Sequence, residues 1–196
     1  MSPANSGVRL FISHSSRDSE FASLFVDLLK TALNMPSSQI RCTSVEGYRL
    51  PVGAKTDEQI RQDILTADVF LGLVSPESLR SLYVVFELGA RWGADRPLYP
   101  ILLPGTDPDV IREPLKGLNA INAGMCGDLH QLVSTLSKEL DVPTEEPSAY
   151  VNKIEAIAKI EAPQSVETQT DRTDRTSQQL SREAMASESA VRNEDE

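Results

Sequence analysis

The rest of this chain is organised around one stretch, Ser75-Pro-Glu-Ser-Leu-Arg-Ser-Leu-Tyr-Val-Val-Phe-Glu-Leu-Gly-Ala-Arg-Trp-Gly93. Ser75 followed by Pro76 is typical of a helix start, because serine caps a free amide and proline is tolerated in the first helical turn. The stretch therefore predicts one helix that runs to Gly93. Its apolar residues recur at helical spacing, which predicts a single face packed on a core. The residues of this predicted core face are Leu82, Val85, Phe86 and Gly89.

Glu87 lies on an adjoining face of the same predicted helix, with Tyr83 one turn before it. Spacing alone favours a surface ion pair between Glu87 and Arg91, worth about 0.2–0.5 kcal/mol. The alternative is that Glu87 is a catalytic carboxylate. Trp92 is predicted to pack in the core or against another helix, since large aromatic side chains usually serve burial.

Short apolar runs alternate with helical patterns along the chain, which predicts an α/β fold. Residues 68–74 are nearly all apolar, as is typical of a strand buried on both faces of a parallel sheet. The run at 97–103 contains two prolines, so it is predicted to be less central than the run at 68–74. We expect a five-stranded parallel sheet with helices on both faces. The predicted strands are residues 8–12, 40–44, 68–74, 97–103 and 118–122.

Further helices are predicted between these strands. One follows the serine cluster after residue 12 and ends near Asn34, ahead of Pro36. The helix at 55–66 is predicted to turn Ile60, Ile64 and Leu65 inward. The remaining predicted helices are residues 128–140 and an amphipathic helix within 143–162.

In sheets of this kind, ligands bind outside the carboxyl ends of the strands. The predicted edge carries residues 13–17, residues 46–53 and Ser75. The serines after the first strand have two compatible interpretations. They can cap a helix, and the free amides of that helix start, with Arg17 nearby, suit a pyrophosphate.

Length and composition predict one domain, residues 8–142, and a tail. Residues 1–7 are predicted to be flexible. Residues 163–196 are acidic, with no aromatic and few aliphatic side chains, which predicts disorder. The formal net charge of −10 argues against nonspecific nucleic-acid binding. No apolar run is long enough for a signal or a membrane span, so the expectation is a cytoplasmic protein that binds no membrane.

The chain lacks the residues that are characteristic of several kinds of metal site and enzyme. Cys42 and Cys126 are too few for a disulfide framework or a cysteine-based metal cluster. The two histidines, His14 and His130, show no ligand spacing, so no metal site is predicted. A glycine-rich triphosphate cradle and a serine nucleophile elbow are both missing, which disfavours those enzyme classes.

Three sequence boxes in order resemble those of TIR (Toll/interleukin-1 receptor) domains, over roughly residues 8–140. The first is residues 10–18, Leu-Phe-Ile-Ser-His-Ser-Ser-Arg-Asp. The second is residues 46–53, Glu-Gly-Tyr-Arg-Leu-Pro-Val-Gly, followed by Ile60 and Ile64. The third combines residues 74–79 with residues 87–90, Glu-Leu-Gly-Ala. The resemblance implies a flavodoxin-like fold of five parallel strands that acts by self-association.

The resemblance also implies an activity. Many bacterial TIR proteins cleave NAD+ at the nicotinamide–ribose bond and release nicotinamide with ADP-ribose or a cyclised product. NAD+ is then the substrate, and no cofactor is needed. A short acidic chain of this kind is similar to the signal-making component of anti-phage systems such as Thoeris, where the cyclic product activates a separate effector. The resemblance thus predicts a homo-oligomeric NAD+ nucleosidase or ADP-ribosyl cyclase with a downstream effector.

Individual positions of this sequence match functional residues of the TIR family. Glu87 matches the catalytic glutamate. His14 and Ser15 match positions that line the nucleotide, and Glu46 matches an acidic position at the start of the second-box loop. Tyr83 stands where the family often has tryptophan, and it keeps an aromatic face beside the glutamate.

Two other functions remain open from the sequence. The chain can be a non-enzymatic TIR adaptor whose second-box loop mediates homotypic docking, with Arg49 and Lys55 as loop charges. The retained Glu87, with an aromatic residue four positions earlier, argues against that hypothesis. A third hypothesis is a nucleoside-transferring enzyme on a similar sheet, which would exchange nucleobases and ignore NAD+.

Overall fold

The computed structural model describes residues 7–42 and 56–160. Five parallel strands form one sheet in the order β2-β1-β3-β4-β5. This confirms the predicted α/β class, and it places the third strand at the centre with the proline-containing fourth strand further out. The strands are β1 (Leu10–Ser13), β2 (Ile40–Arg41), β3 (Val69–Val74), β4 (Leu98–Leu102) and β5 (Ile121–Asn122).

Helices cover both faces of this sheet. They are α1 (Ser19–Leu33), α2 (Thr56–Thr66), α3 (Pro76–Arg80), α4 (Leu82–Gly93), α5 (Cys126–Glu139) and α6 (Val151–Ala158). Short 3₁₀ turns lie between them, including Ser16–Asp18 before α1 and Pro108–Val110 after β4. Among residues 7–42 and 56–160, no helix combines the length and the apolar composition that a membrane span requires.

Side chains of β1 alternate between the two faces of the sheet, and each face has its own core. Leu10 and Ile12 pack with α1, α5 and α6. Phe11 packs on the other face with Phe70, where α2 and α4 lie. Because both faces are covered, the central strands read as continuous apolar runs.

Gly72 in β3 lets α4 approach the sheet closely. A Cβ atom added at Gly72 would lie 2.4 Å from the Cδ2 atom of Leu88. The glycine therefore leaves the space that the inward side chain of α4 fills.

The strand order reverses between β1 and β3, because the chain runs from β1 outward to β2 and then returns to the other side of β1. Crevices at such reversals are the usual ligand sites of open α/β sheets. Ser13, the last residue of β1, is aligned with Gly72 of β3. The loops that follow β1 and β3 therefore meet at this point.

The C-terminal helix α6 is part of the folded domain. Tyr150, Ile154 and Ile157 are buried in the same core as α1 and α5. Lys153 of α6 also forms an ion pair with Asp27 of α1. The helix thus closes one face of the sheet.

The single helix predicted from Ser75 to Gly93 is wrong, because the structure contains two helices there. Ser75 caps α3, accepting a hydrogen bond from the Ser78 amide at 3.0 Å. The first helix ends at Arg80. Ser81 then caps α4, since its side chain accepts from the Val84 amide at 3.5 Å. A second capping serine thus starts a new helix in a new direction.

The predicted inward face of α4 is also wrong. Leu82 and Phe86 are 86% and 80% exposed, and Val85 and Trp92 are about half exposed. The buried residues of α4 are instead Val84, Leu88 and Arg91, which lie at positions i, i+4 and i+7 of one helical stripe. In α2, Ile64 is buried as predicted, but Leu65 is exposed.

Several predictions lie outside the described residues. They concern Glu46 and the rest of the second-box loop, the N-terminal residues 1–6, and the acidic tail 163–196.

Candidate functional site

Glu87 lies in the middle of α4, and its side chain reaches the carboxyl edge of the sheet. The Ser13 hydroxyl donates a hydrogen bond to Glu87 Oε2 at 2.5 Å. Ser13 is buried at the end of β1, whereas Glu87 is partly accessible. The carboxylate is therefore held at the strand-order reversal, the position where an α/β sheet binds its ligands.

The environment of Glu87 shifts its ionisation. Burial raises the pKa of the Glu87 carboxyl above its ordinary value, and the hydrogen bond from Ser13 offsets part of that rise by favouring the charged form. Shifts of this origin at a cleft are typical of functional carboxylates.

Arg91 does not pair with Glu87, so the surface ion pair is the wrong interpretation. Its guanidinium is fully buried and donates to four backbone carbonyls. Burial lowers the pKa of Arg91 to about 10, which leaves the group charged at neutral pH. Arg91 thereby joins the end of α4 to the end of α2 and to the segment before β4. The accepting carbonyls are those of Ile64, Ala67, Asp68 and Pro97, at 2.8–3.1 Å.

His14 follows Ser13 directly and is half-buried. Its Nδ1 atom lies 3.7 Å from the Sγ atom of the buried Cys42, at the end of β2. Burial lowers the pKa of the His14 imidazole, although a backbone hydrogen bond at Ile12 raises it in part. The lowered pKa favours a neutral imidazole beside the site.

Ser15 is buried and acts as a cap. Its hydroxyl accepts a hydrogen bond from the Arg17 amide at 3.3 Å, and it thereby starts the 3₁₀ turn before α1. The capping interpretation of this serine cluster is confirmed at Ser15. A contact between Ser15 and a nucleotide stays a prediction.

Asp18 and Ser75 connect the loops that follow β1 and β3. The Ser75 hydroxyl donates to Asp18 Oδ2 at 2.7 Å, and both residues are buried. Burial raises the pKa of the Asp18 carboxyl, the bond from Ser75 lowers it in part, and the nearby Glu77 charge raises it further. This pair was not predicted, since only its place at the shared sheet edge is visible in the sequence.

Two arginines surround one carboxylate at the rim of the same edge. Arg17 Nη1 lies 2.5 Å from Glu77 Oε2, and Arg80 Nη1 lies 2.8 Å from Glu77 Oε1. Both arginine side chains are mostly exposed, so these ion pairs contribute little to stability. Their charges do leave the rim with one net positive charge.

Exposed aromatic side chains flank Glu87 along α4. Tyr83, one turn before the glutamate, is 75% exposed, and Phe86 is its immediate neighbour. The exposure of Phe86 was not predicted, because helical spacing assigned it to the core. Glu46, the remaining predicted nucleotide-contact residue, lies outside the described residues.

The buried Asp18 carboxyl makes stability depend on pH in a defined direction. Because its folded-state pKa is raised, the folded state binds the proton more tightly than the unfolded state does. The resulting stability is present below the ordinary value near 3.8 and is lost as pH rises through the raised pKa. We expect the free energy of unfolding of Asp18→Asn, relative to wild type, to increase with pH across this window.

Urea unfolding of both proteins at half-unit pH steps measures this difference. Asp109→Asn, at an exposed position in the turn Pro108–Val110, is the matched control. A pH-independent difference for Asp18→Asn would contradict the prediction.

Known proteins match part of this chain. The uncharacterized protein YddK of Bacillus subtilis (strain 168) is 25% identical over 138 residues, which cover 70% of this chain and 52% of that protein. The chain thus spans about half the length of this relative.

Among solved structures, the TIR domain of the Toll-related receptor TRR-2 from Hydra magnipapillata superposes with a TM-score of 0.50. It is 14% identical and covers 68% of this chain and 98% of the Hydra domain, so the likeness shows the fold alone. A family model described as TIR domain matches residues 10–133. That match covers more than half of the chain and includes β1, the strand-order reversal and Glu87, and the chain therefore belongs to the TIR domain family.

Proposed function

We propose that this TIR domain cleaves the nicotinamide–ribose bond of NAD+ and releases nicotinamide with ADP-ribose or cyclic ADP-ribose. The observation that carries the proposal is the position of Glu87. Its carboxylate is partly accessible, bonded to Ser13, and fixed on a packed helix at the strand-order reversal. An electrostatic catalyst needs a preorganised charge of this kind.

The chemistry requires only one carboxylate. Nicotinamide is bound through a cationic ring nitrogen, so when the C–N bond breaks its electron pair neutralises the leaving group and no general acid is required. The ribose carbon becomes oxocarbenium-like, as in glycoside hydrolysis. The Glu87 carboxylate accepts hydrogen bonds from ribose hydroxyls and stabilises the developing positive charge. Water then adds to that carbon and loses a proton, or an adenine nitrogen adds and closes a ring.

The surroundings of Glu87 support a dinucleotide substrate. The rim formed by Arg17, Glu77 and Arg80 has a net positive charge that suits a pyrophosphate. Tyr83 offers an exposed aromatic face for a base or the nicotinamide ring. We assign nucleotide contacts to His14, Ser15 and Glu46 as well, as the family resemblance implies.

The direct test is to incubate the full chain with NAD+ at concentrations where it self-associates and to identify every product by chromatography and mass. We expect nicotinamide in equal amount to a linear or cyclic ADP-ribose. An oligomeric preparation that releases no nicotinamide would refute the proposed activity. A panel of deoxynucleosides and free bases separates it from nucleobase exchange.

Ser13 is proposed as a positioning residue whose removal changes the pH profile. Its hydrogen bond favours the ionised carboxylate, so Ser13→Ala should raise the pKa of Glu87 further. We expect the acid limb of kcat/KM for nicotinamide release to move to higher pH. The check is a pH–rate profile of wild type and variant.

Ser137→Ala is the matched control for that profile, because its hydroxyl donates to the Val142 carbonyl in a remote part of the domain. The control should keep the wild-type acid limb. An unshifted limb in Ser13→Ala would remove Ser13 from the proposed mechanism.

The proposed setting is cytoplasmic signalling by a homo-oligomer, with the product sensed by a separate effector as in anti-phage defence. This part of the proposal rests on family resemblance, with YddK as one bacterial relative of similar sequence. It depends on the proposed NAD+ cleavage, and a failure of that proposal would refute it as well.

A docking function is the second candidate, and one observation favours it. Leu82, Val85 and Phe86 form an exposed apolar face on α4, and clustered exposed apolar side chains often mark protein contacts. A TIR adaptor would use such a face without turnover. Self-association that persists without nicotinamide release, in wild type and in Glu87 variants alike, would support the adaptor.

A further inference from the structure

A cavity of about 300 Å³ lies beside α4 and is separate from the proposed catalytic edge, since neither Ser13 nor Glu87 lines it. One wall is α4, through Val85, Leu88 and Gly89. The floor is formed by β3 and β4, through Val74 and Pro100. The other wall is the segment at 110–115. Volumes of this size begin to accommodate small organic ligands.

The cavity is mainly apolar, and the described residues leave it incompletely filled. The core cluster beneath it contains only Val74, Leu102 and Ile111 as buried side chains among the described residues. Gly89 adds to the open space, because a Cβ atom built there would meet no atom within 4 Å. The described chain therefore leaves an apolar volume between α4 and the segment at 110–115.

Two opposite charges line the same cavity. Arg112 and Glu113 are adjacent, exposed and part of its lining. In the described part of the chain, neither side chain makes a hydrogen bond or an ion pair. An anionic ligand would meet the Glu113 carboxylate, and a cationic ligand would meet the Arg112 guanidinium. A ligand with one charge of each sign satisfies both.

We propose that this cavity binds a free α-amino acid with a large apolar side chain. The side chain occupies the space between α4 and the segment at 110–115. The α-carboxylate pairs with Arg112, which offers the planar donors that carboxylates prefer. The α-ammonium pairs with Glu113. This binding site is independent of the proposed NAD+ cleavage, so either proposal can fail without the other.

Calorimetric titration of the full chain with L-phenylalanine tests the proposal. Three probes each remove one element of the ligand: 3-phenylpropionate lacks the ammonium, phenethylamine lacks the carboxylate, and glycine lacks the side chain. We expect saturable binding of L-phenylalanine, with each probe at least about tenfold weaker. Trp92, the only tryptophan of the chain, lies one turn after Leu88 and provides a second, fluorescent signal.

The chain offers a matched pair of glycine variants. Gly89→Leu fills the cavity and improves helix propensity, so the protein should fold at least as well as wild type. Gly93→Leu adds the same side chain to the same helix, also into open space, but outside the cavity lining. We expect Gly89→Leu to abolish binding and Gly93→Leu to retain it.

Charge variants complete the test. Arg112→Gln and Glu113→Gln should each weaken L-phenylalanine binding by about tenfold. No saturable binding by wild type, undiminished binding by Gly89→Leu, or equal affinity for L-phenylalanine and 3-phenylpropionate would each overturn the proposal.

Discussion

Replacing Glu87 with glutamine is expected to reduce nicotinamide release from NAD+ by at least about 1,000-fold. Glutamine keeps the shape of the side chain and an oxygen that can accept the Ser13 hydrogen bond. It lacks the negative charge that stabilises the ribose cation in the proposed mechanism. The measurement is single-turnover nicotinamide release by wild type and variant at equal degrees of self-association.

The same substitution should not weaken the fold. Burial raises the pKa of Glu87. The folded state therefore becomes less stable as pH rises through that raised pKa and the carboxyl group ionises. A neutral isostere avoids this cost, and we expect a melting temperature at pH 7 equal to or above that of wild type. Glu155→Gln, on α6, serves as a control with wild-type turnover. Full turnover in well-folded Glu87→Gln would reject the catalytic role.

Arg91→Ala is expected to have the largest effect on stability, a loss of about 3–5 kcal/mol in the free energy of unfolding. The substitution removes a buried donor from each of four carbonyls and opens a cavity between α4 and α2. It also removes the guanidinium that lies 6.0 Å from the centre of the Phe70 ring. Urea unfolding followed by far-UV circular dichroism measures the loss.

Two further substitutions serve as comparisons for the stability loss of Arg91→Ala. Arg80→Ala removes an exposed arginine and should change the free energy of unfolding by no more than about 0.5 kcal/mol. Arg91→Lys keeps a charge but cannot reach four carbonyls, so it should fall between wild type and Arg91→Ala. An unfolding midpoint of Arg91→Ala equal to that of wild type would show that the carbonyls find other partners.

The fold was predictable because its strands carry strong local signals. β3 is buried on both faces, so its residues form a continuous apolar run, and helical patterns separate it from its neighbours. Strand ends were less predictable. The predicted strands at 40–44 and 118–122 each span five residues, but within the described part of the chain β2 and β5 contain two residues each.

The orientation of α4 was not predictable from apolar spacing, because the helix carries two apolar stripes. The stripe with Leu82 and Phe86 is the more hydrophobic, but it faces outward. The inward stripe ends in Arg91, which counts as polar in any pattern. Only the tertiary structure provides the four carbonyls that make a buried arginine favourable.

The candidate site was predictable in part. Topology alone placed Ser13 and the start of the central helices at one edge, and the family resemblance singled out Glu87. The bond between Ser13 and Glu87 joins residues 74 positions apart, and the Asp18–Ser75 bond joins residues 57 apart. Pairings of that range depend on side-chain geometry that a single sequence does not encode in any local pattern.

Within α4, different residues serve packing and the proposed catalysis, and this separation has an evolutionary consequence. Arg91 and Leu88 hold the helix in place, while Glu87 adds a charge that burial makes unfavourable. Under the proposed mechanism, a lineage that no longer needs turnover would lose the acid through a single substitution and gain a more stable fold. The proposed mechanism therefore predicts that inactive relatives of this chain arise readily from active ancestors, and that activity depends on one acid at one position.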